Sequence, residues 1–319
     1  MAIKIDNKLN KEVYITGANG YIGSHLLSYL KSKDISCKVR GQERRIHVYG
    51  EAVDTSNVDE MSGASAVIHL AGMTNYKNKD GLNEKTAHEL INVTQTKNLL
   101  IRAANQGVQR FIYISTIKVH GESSSLGKKF SVLDEPSPKS IYAASKYAAE
   151  LKLQELANEM GVEYIIIRSP MVYGPLSPGN FMSLVRLVGL GIPLPFANFN
   201  NRRSMIYIGN LSKYIYLCID NERVCGKTIL VSDGSDLPFN QLVLAIGNAL
   251  GKKAVLFSMP PKLIALVLGL LRLRGVVDRL VMPLEVEIQE TTAILGWKPE
   301  IGTLEGIIKS LNGDPIDCF

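Results

Sequence analysis

A glycine turn near the N-terminus constrains the fold of this chain more than any other feature. Gly17, Gly20 and Gly23 recur at intervals of three residues, directly after the apolar run 13–15 and at the start of a helical pattern that ends near residue 31. A strand, a glycine turn and a helix in this order bring the backbone close to a pyrophosphate, to which the helix N-terminus offers free N–H groups. Glycine also occurs in ordinary turns, so the position between strand and helix is what predicts a dinucleotide site.

Apolar strands alternate with helices over the first half of the chain. Further strands are predicted at about 36–40, 66–70, 111–114 and 164–167, and further helices at about 85–105 and 141–160. Apolar strands separated by helices are typical of a parallel sheet that is covered on both faces. Right-handed crossovers then give a doubly wound α/β fold of the Rossmann type.

The pattern changes after Pro170, where proline and glycine become frequent. We therefore predict a dinucleotide-binding domain over residues 11–175 and a smaller C-terminal substrate-binding lobe over residues 176–319. Within that lobe, the segment 204–232 is predicted to return to the main sheet, through a strand and a helix near 206–219.

Composition and charge narrow the class of protein. The chain has 319 residues, 46% of them hydrophobic and 21% charged, with a net charge of +6, which is ordinary for a soluble globular protein. Its basic residues are scattered, which argues against a nucleic-acid partner. The cysteines lie at no metal-ligand spacing, so no metal is expected, and free thiols in a reducing cytoplasm fit best. They are Cys37, Cys218, Cys225 and Cys318.

Tyr142 and Lys146 stand four residues apart on the long predicted helix, so they share one face. A phenol is a weak acid at neutral pH because its pKa is about 10. A nearby ammonium, together with a positive nicotinamide ring, would lower the pKa of Tyr142 and let it exchange a proton. Thr116 follows a predicted strand and adds a hydroxyl that could bind the reacting oxygen. An ordinary pair of polar residues on a helix surface is the alternative interpretation.

The residues after the second predicted strand bear on the choice of cofactor. An acidic residue at this strand end binds the ribose 2′-hydroxyl of NAD. This chain has Arg40 instead, followed by Arg44 and Arg45, and arginine suits the 2′-phosphate of NADP. These arginines favour NADP over NAD. NAD stays open as the alternative, because the same arginines could lie on the surface.

Five motifs together resemble the extended short-chain dehydrogenases/reductases of the NAD-dependent epimerase/dehydratase family, over nearly the whole chain. They are TGANGYIG at 16–23, HLAG at 69–72, YISTIKVHG at 113–121, YAASK at 142–146 and RSPMVYGP at 168–175. The chain departs from the family pattern at two places. Gly209 and Asn210 stand where many members carry aspartate, and His120 stands where tyrosine is common.

The resemblance implies a role for each matching residue. Tyr142 would be the acid/base, Lys146 would bind the nicotinamide ribose, and Thr116 would hold the reacting oxygen. Asn180 and Arg203 would bind the diphosphate of the substrate, where the arginine fork can pair two oxygens at once. The predicted cofactor-binding residues are Gly17, Asn19, Gly20, Tyr21, Ile22, Gly23, Arg40, Ala71, Gly72, Asn92, Tyr142, Lys146 and Pro170.

Residues 115–122 and 202–210 resemble a branch of the family that serves bacterial surface polysaccharide synthesis, such as O-antigen and capsule. This branch implies a 4-reductase of a UDP- or dTDP-linked 4-keto-6-deoxy hexose, and it implies a homodimer formed through the helix that carries Tyr142. A 4-epimerase of UDP-glucose or UDP-N-acetylglucosamine is the alternative. The NADP-type arginines favour the reductase, because a reductase takes its hydride from exchangeable NADPH. A non-catalytic cofactor-binding protein is a second alternative, disfavoured by the intact Tyr142 and Lys146.

The segment 260–283 contains the longest apolar run, Leu263 to Leu271, with arginines close behind it. This run of nine residues is too short to span a bilayer. A buried helix of the lobe is one interpretation. The other is an interfacial helix, through which the protein would associate weakly with the inner membrane and meet a lipid-linked sugar.

Overall fold

A six-stranded parallel sheet forms the centre of the molecule. The computed structural model describes residues 12–39, 61–76, 81–125, 127–260, 263 and 282–312. Its strands are β1 (Glu12–Thr16), β2 (Ser36–Val39), β3 (Ala66–His69), β4 (Arg110–Thr116), β5 (Glu163–Ser169), β6 (Met171–Tyr173), β7 (Met205–Tyr207) and β8 (Lys227–Leu230). The sheet has the order β2-β1-β3-β4-β5-β8, with every pair parallel. The predicted Rossmann-type fold is therefore confirmed.

Helices cover both faces of this sheet. The helices of the described residues are α1 (Tyr21–Lys31), α2 (Glu84–His88), α3 (Gln95–Asn105), α4 (Ile141–Met160), α5 (Asn180–Gly189), α6 (Ile208–Asp220), α7 (Phe239–Ala249), α8 (Gln289–Leu295) and α9 (Thr303–Asn312). Of these, α1 and α6 cover one face of the sheet, and α3 and α4 cover the other. Successive strand residues point to opposite faces, so Val13 and Ile15 of β1 pack with α1 and α6 while Tyr14 packs with α3 and α4. This alternation explains why the strands are apolar on both sides.

The predicted helix at 85–105 is interrupted in the structure. A π-helical turn, Glu89–Thr94, lies between α2 and α3. It contains Asn92, which is buried and directed towards α4. Such turns are rare and are frequent at functional sites.

The segment 204–232 differs in part from its prediction. β8 does join the main sheet beside β5, and α6 packs against α1. The strand near residue 206 does not, because β7 pairs with β6 in a separate two-stranded parallel sheet. The local sequence predicts a strand here but carries no signal for its partner, which is set by the tertiary fold.

Several sequence predictions lie outside the described residues. They concern Arg40, Arg44, Arg45, Cys318 and the apolar stretch of 260–283 beyond Leu263. Among the residues that the structure does describe, no helix is both long and apolar enough to cross a membrane. Cys37, Cys218 and Cys225 are free thiols.

Candidate active site

The glycine turn forms a close-packed cradle between β1 and α1. Gly17 has a φ of +73°, and a Cβ there would lie 2.7 Å from the Ala71 backbone nitrogen. A Cβ on Gly23 would collide with the carbonyl oxygen of Gly17, which accepts a hydrogen bond from Gly20 N at 2.9 Å. Only glycine therefore fits at positions 17 and 23, where the backbone segments lie in close contact. Asn19 and Gly20 are exposed at its tip, and Tyr21 and Ile22 begin α1.

A buried series of hydrogen bonds connects this cradle to the neighbouring strand and helix. The Thr16 hydroxyl lies 2.6 Å from His69 Nδ1, and His69 Nε2 lies 2.9 Å from the Thr96 hydroxyl. The Ala71 backbone N–H donates to the same Thr16 hydroxyl at 3.4 Å. These hydrogen bonds join the carboxyl ends of β1 and β3 to α3. Thr96 was not predicted from the sequence as a residue of the site. The one indication of it is that a polar residue stands among the buried positions of a helix.

Asn92 clamps the loop after β3 to the helix that carries Tyr142. Its Oδ1 accepts from Met73 N at 2.8 Å, and its Nδ2 donates to Met73 O at 3.0 Å and to Ser145 Oγ at 2.9 Å. A Cβ on Gly72 would lie 3.2 Å from Asn92 Oδ1 and 3.8 Å from Lys146 Nζ. The structure thus brings the predicted residues Gly72, Asn92 and Lys146 together at the carboxyl ends of the strands, where parallel sheets bind ligands.

The Thr116 hydroxyl interacts with the Tyr142 phenol and lowers its pKa, and Lys146 lies one helical turn beyond the tyrosine. Thr116 is the last residue of β4 and pairs in register with Ser169 of β5, which Pro170 follows. α4 begins at a fixed place because the Ser140 hydroxyl caps it, accepting from Ala143 N. These contacts place three predicted catalytic side chains at one edge of the sheet.

The proton affinities at this site differ from the sequence prediction. Burial raises the pKa of Tyr142 to about 12, and the hydrogen bond with Thr116 offsets only part of that effect. Burial also lowers the pKa of Lys146 to about 7, against a raising effect of Glu150. The lowered pKa of Tyr142 was predicted with a positive nicotinamide ring beside it, and in the protein on its own desolvation is the largest effect on this pKa.

A buried network that the sequence did not reveal lies behind Lys146. The Glu150 carboxylate accepts from Arg168 Nη2 at 2.6 Å and from the Ser115 hydroxyl, and Arg168 Nη1 lies 2.8 Å from His120 Nε2. All four side chains are buried. On the other side, Lys146 Nζ lies 4.0 Å from the centroid of the Tyr113 ring. The one indication of this network in the sequence is Arg168, a charged residue directly after the apolar run of β5.

The two predicted diphosphate residues lie in the lobe. Arg203 donates to the Met282 carbonyl at 3.1 Å, and burial lowers its pKa to about 10 while the carboxylate of Glu122 raises it. Arg203 therefore stays protonated at neutral pH. Asn180 is the first residue of α5, directly after Gly179, which has a φ of +89°. Asn210, one of the departures from the family pattern, is buried and donates to Asp233 Oδ1 at 2.8 Å.

No group of three or more potential metal ligands occurs among the described residues. The donors that converge at this edge of the sheet are instead backbone amides, hydroxyls and one ammonium. A glycine cradle, a buried tyrosine–threonine pair and a neighbouring lysine can hold a dinucleotide and move a proton at a substrate oxygen.

Comparisons with known proteins agree with this arrangement. Residues 13–231 match the family described as NAD dependent epimerase/dehydratase. The chain is 33% identical over 310 residues to the UDP-glucose 4-epimerase of Vibrio cholerae, covering 94% of each chain. It is 27% identical over 262 residues to the N-acetyl-alpha-D-glucosaminyl-diphospho-ditrans,octacis-undecaprenol 4-epimerase of Escherichia coli O157:H7, covering 79% of this chain and 76% of that one.

Solved structures show the same fold at lower identity. The UDP-glucose 4-epimerase of Thermotoga maritima, solved with UDP-glucose, superposes with a TM-score of 0.72 at 19% identity, covering 95% of this chain and 98% of that one. RMD from Pseudomonas aeruginosa, solved with NADPH, has a TM-score of 0.71 at 20% identity and the same coverage of both chains.

Proposed function

Since the chain belongs to the NAD-dependent epimerase/dehydratase family, we propose that it oxidises or reduces C4 of a nucleotide-linked hexose with a nicotinamide cofactor. The observation that carries this proposal is the placement of Thr116, Tyr142 and, one helical turn away, Lys146 at the strand ends beside the glycine cradle. The name of the Vibrio cholerae relative supports a nucleotide sugar as the substrate.

Each part of the site has one task in this reaction. The backbone of the turn 17–23 would hold the pyrophosphate, and Lys146 would bind the nicotinamide ribose. The bound cofactor supplies hydride exchange with a carbon atom. Thr116 and Tyr142 would bind the C4 oxygen, and Tyr142 would give or take its proton. Arg203 and Asn180 would hold the diphosphate and so fix the sugar in place.

As the finer assignment, we propose a 4-reductase that uses NADPH and acts on a UDP- or dTDP-linked 4-keto-6-deoxy hexose. The support is the run Arg40, Arg44 and Arg45, which suits a 2′-phosphate. The second candidate is a 4-epimerase, which would keep its NAD and return the hydride to the other face of the ketone. Two relatives named as 4-epimerases favour it to a similar degree.

Two assays on the purified full-length protein separate these reactions. A reductase is expected to consume NADPH with a nucleotide-linked 4-keto-6-deoxy hexose, which lowers the near-ultraviolet absorbance of the cofactor, and to leave UDP-glucose unchanged. An epimerase is expected to convert UDP-glucose or UDP-N-acetylglucosamine to its 4-epimer with no net cofactor use, and to carry NAD detectable by mass spectrometry. If neither reaction occurs, the proposed enzyme activity is wrong and a non-catalytic cofactor-binding role is left.

We further propose a cytoplasmic homodimer that associates weakly with the inner membrane through residues 260–283. The support is the sequence of this segment, an apolar run followed by arginines, and a relative whose substrate is linked to undecaprenol. In flotation with liposomes that contain anionic lipid, a fraction of the protein is expected to rise, and less of it at high salt. Recovery of all the protein in the bottom fraction would reject the membrane proposal.

A further inference from the structure

A small charged cluster lies beside the reacting pair and is not used by the proposed mechanism. Lys118 Nζ and Glu122 Oε2 form an ion pair at 2.8 Å, with both side chains about one-third exposed. Glu122 Oε1 also accepts from the Ser140 hydroxyl at 3.2 Å, at the start of α4. An ion pair with this much exposure contributes little to stability, so stability alone does not account for it.

The cluster lies between the two ends of the proposed substrate. At one end, the Lys118 backbone N–H donates to the Thr116 hydroxyl at 3.3 Å, and that hydroxyl lowers the pKa of Tyr142. At the other end, Arg203 donates to the Met282 carbonyl, and Ser124, two residues after Glu122, donates its backbone N–H to the adjacent Pro283 carbonyl at 2.8 Å. The carboxylate of Glu122 also raises the pKa of Arg203. Thr116 would meet C4 of the sugar and Arg203 would meet the diphosphate. What spans these two points in a nucleotide sugar is the hexose ring with its substituents.

We propose that the Lys118–Glu122 pair contacts the hexose and that Glu122 makes the site selective for uncharged hexoses against hexuronates. This inference rests on the proposed function, since it assumes a nucleotide sugar between Thr116 and Arg203. It names the class of sugar that the site accepts. The role of Glu122 is to oppose the wrong ligand, which is a common route to specificity.

The charges explain the selectivity. Lys118 is already neutralised by Glu122 at 2.8 Å, so it has no free charge to offer a sugar carboxylate. A hexuronate would have to break this pair and would then lie close to the Glu122 carboxylate. Like charges brought into contact repel, which opposes binding of the hexuronate. A neutral hexose meets no such penalty, because its hydroxyl groups can accept from the ammonium and donate to the carboxylate.

The test measures binding as well as turnover, on the full-length protein with its cofactor. UDP-glucose and UDP-glucuronate differ only in the oxidation of C6, and isothermal titration gives the Kd of each. The wild type is expected to bind UDP-glucose at least about tenfold more tightly than UDP-glucuronate. In Glu122→Gln that ratio is expected to fall about tenfold, because the carboxylate is lost while the amide oxygen still accepts from Ser140.

Two further variants test whether the charge of Glu122 causes the preference for the neutral sugar. Lys118→Met is expected to widen the preference for UDP-glucose, because it leaves Glu122 unpaired beside the sugar. Glu155→Gln is the matched control, since Glu155 forms an exposed 2.8 Å pair with Lys152 on the outer part of α4 and should leave the ratio unchanged. If Glu122→Gln folds and keeps the wild-type ratio, the selectivity inference is wrong and the proposed function stands. If the wild type binds no UDP- or dTDP-linked hexose, the proposed function itself fails.

Discussion

Replacing Tyr142 by phenylalanine is expected to lower kcat by about a thousandfold, within the range of about 10²–10⁴ typical of a lost general acid or base. In the proposed mechanism its hydroxyl exchanges a proton with the C4 oxygen, and phenylalanine keeps the ring but removes that hydroxyl. KM is expected to change little, since Arg203 and Asn180, the residues proposed to bind the diphosphate, are untouched. Steady-state kinetics in either reaction direction measure both constants.

A second tyrosine on the same helix provides the control for this prediction. Tyr147 lies on α4, is half-buried and stands five residues after Tyr142. Tyr147→Phe is expected to keep wild-type kcat within about twofold, which is small on the scale of about 10²–10⁴ for a lost acid or base. Cofactor binding, followed by fluorescence quenching, should survive in Tyr142→Phe. Wild-type turnover by Tyr142→Phe would remove the acid/base assignment, whatever the binding result.

The high pKa of Tyr142 bears on how the reaction starts. With a pKa raised to about 12 by burial, the phenol is protonated at neutral pH in the protein on its own. A protonated phenol is ready to donate to a ketone, which suits reduction. Oxidation of an alcohol needs the phenolate and therefore depends on positive charge nearby. Lys146 supplies that charge only in part, because burial brings its own pKa down to about 7.

The sheet could be predicted from the sequence because its strands are apolar and short and are separated by helices. The predicted strand at 111–114 lies within β4, and the predicted helix at 141–160 matches α4. Local signals are strong at such places, since capping at Ser140 and the left-handed Gly161 mark both ends of α4. The glycine turn was predictable for a related reason, because the backbone at Gly17 and Gly23 leaves no room for a Cβ.

The features that escaped prediction depend on partners that are distant in the sequence. The π-helical turn exists where Asn92 reaches Met73 and Ser145, and no local pattern marks it. β6 and β7 are both three-residue apolar strands, so nothing local indicates that they pair with each other. The pKa of Tyr142 follows from burial, which a helical pattern does not report.

Replacing Glu150 by alanine is expected to lower the free energy of unfolding by about 3–5 kcal/mol, the usual cost of breaking a buried ion pair from one side. Glu150 and Arg168 are both buried, and the carboxylate accepts Nη2 at 2.6 Å and Nε at 3.2 Å. Among the described residues, removing the carboxylate leaves the buried Arg168 guanidinium with His120 as its side-chain partner. Urea denaturation followed by circular dichroism measures the loss as a lower midpoint at constant slope.

The double variant Glu150→Leu/Arg168→Met is the sharper half of this experiment. It removes both charges together, so the desolvation cost of each disappears and stability is expected to return to within about 1 kcal/mol of the wild type. Glu155→Ala, which breaks the exposed pair with Lys152, should cost no more than about 1 kcal/mol. A double variant that stays as unstable as Glu150→Ala would show that Glu150 does more than neutralise Arg168.

A stable, well-folded double variant also lets kcat be measured without the charge of Glu150, which raises the pKa of Lys146. In that variant the high-pH limit of activity is expected to move to lower pH, because Lys146 loses its proton more easily once the carboxylate is gone.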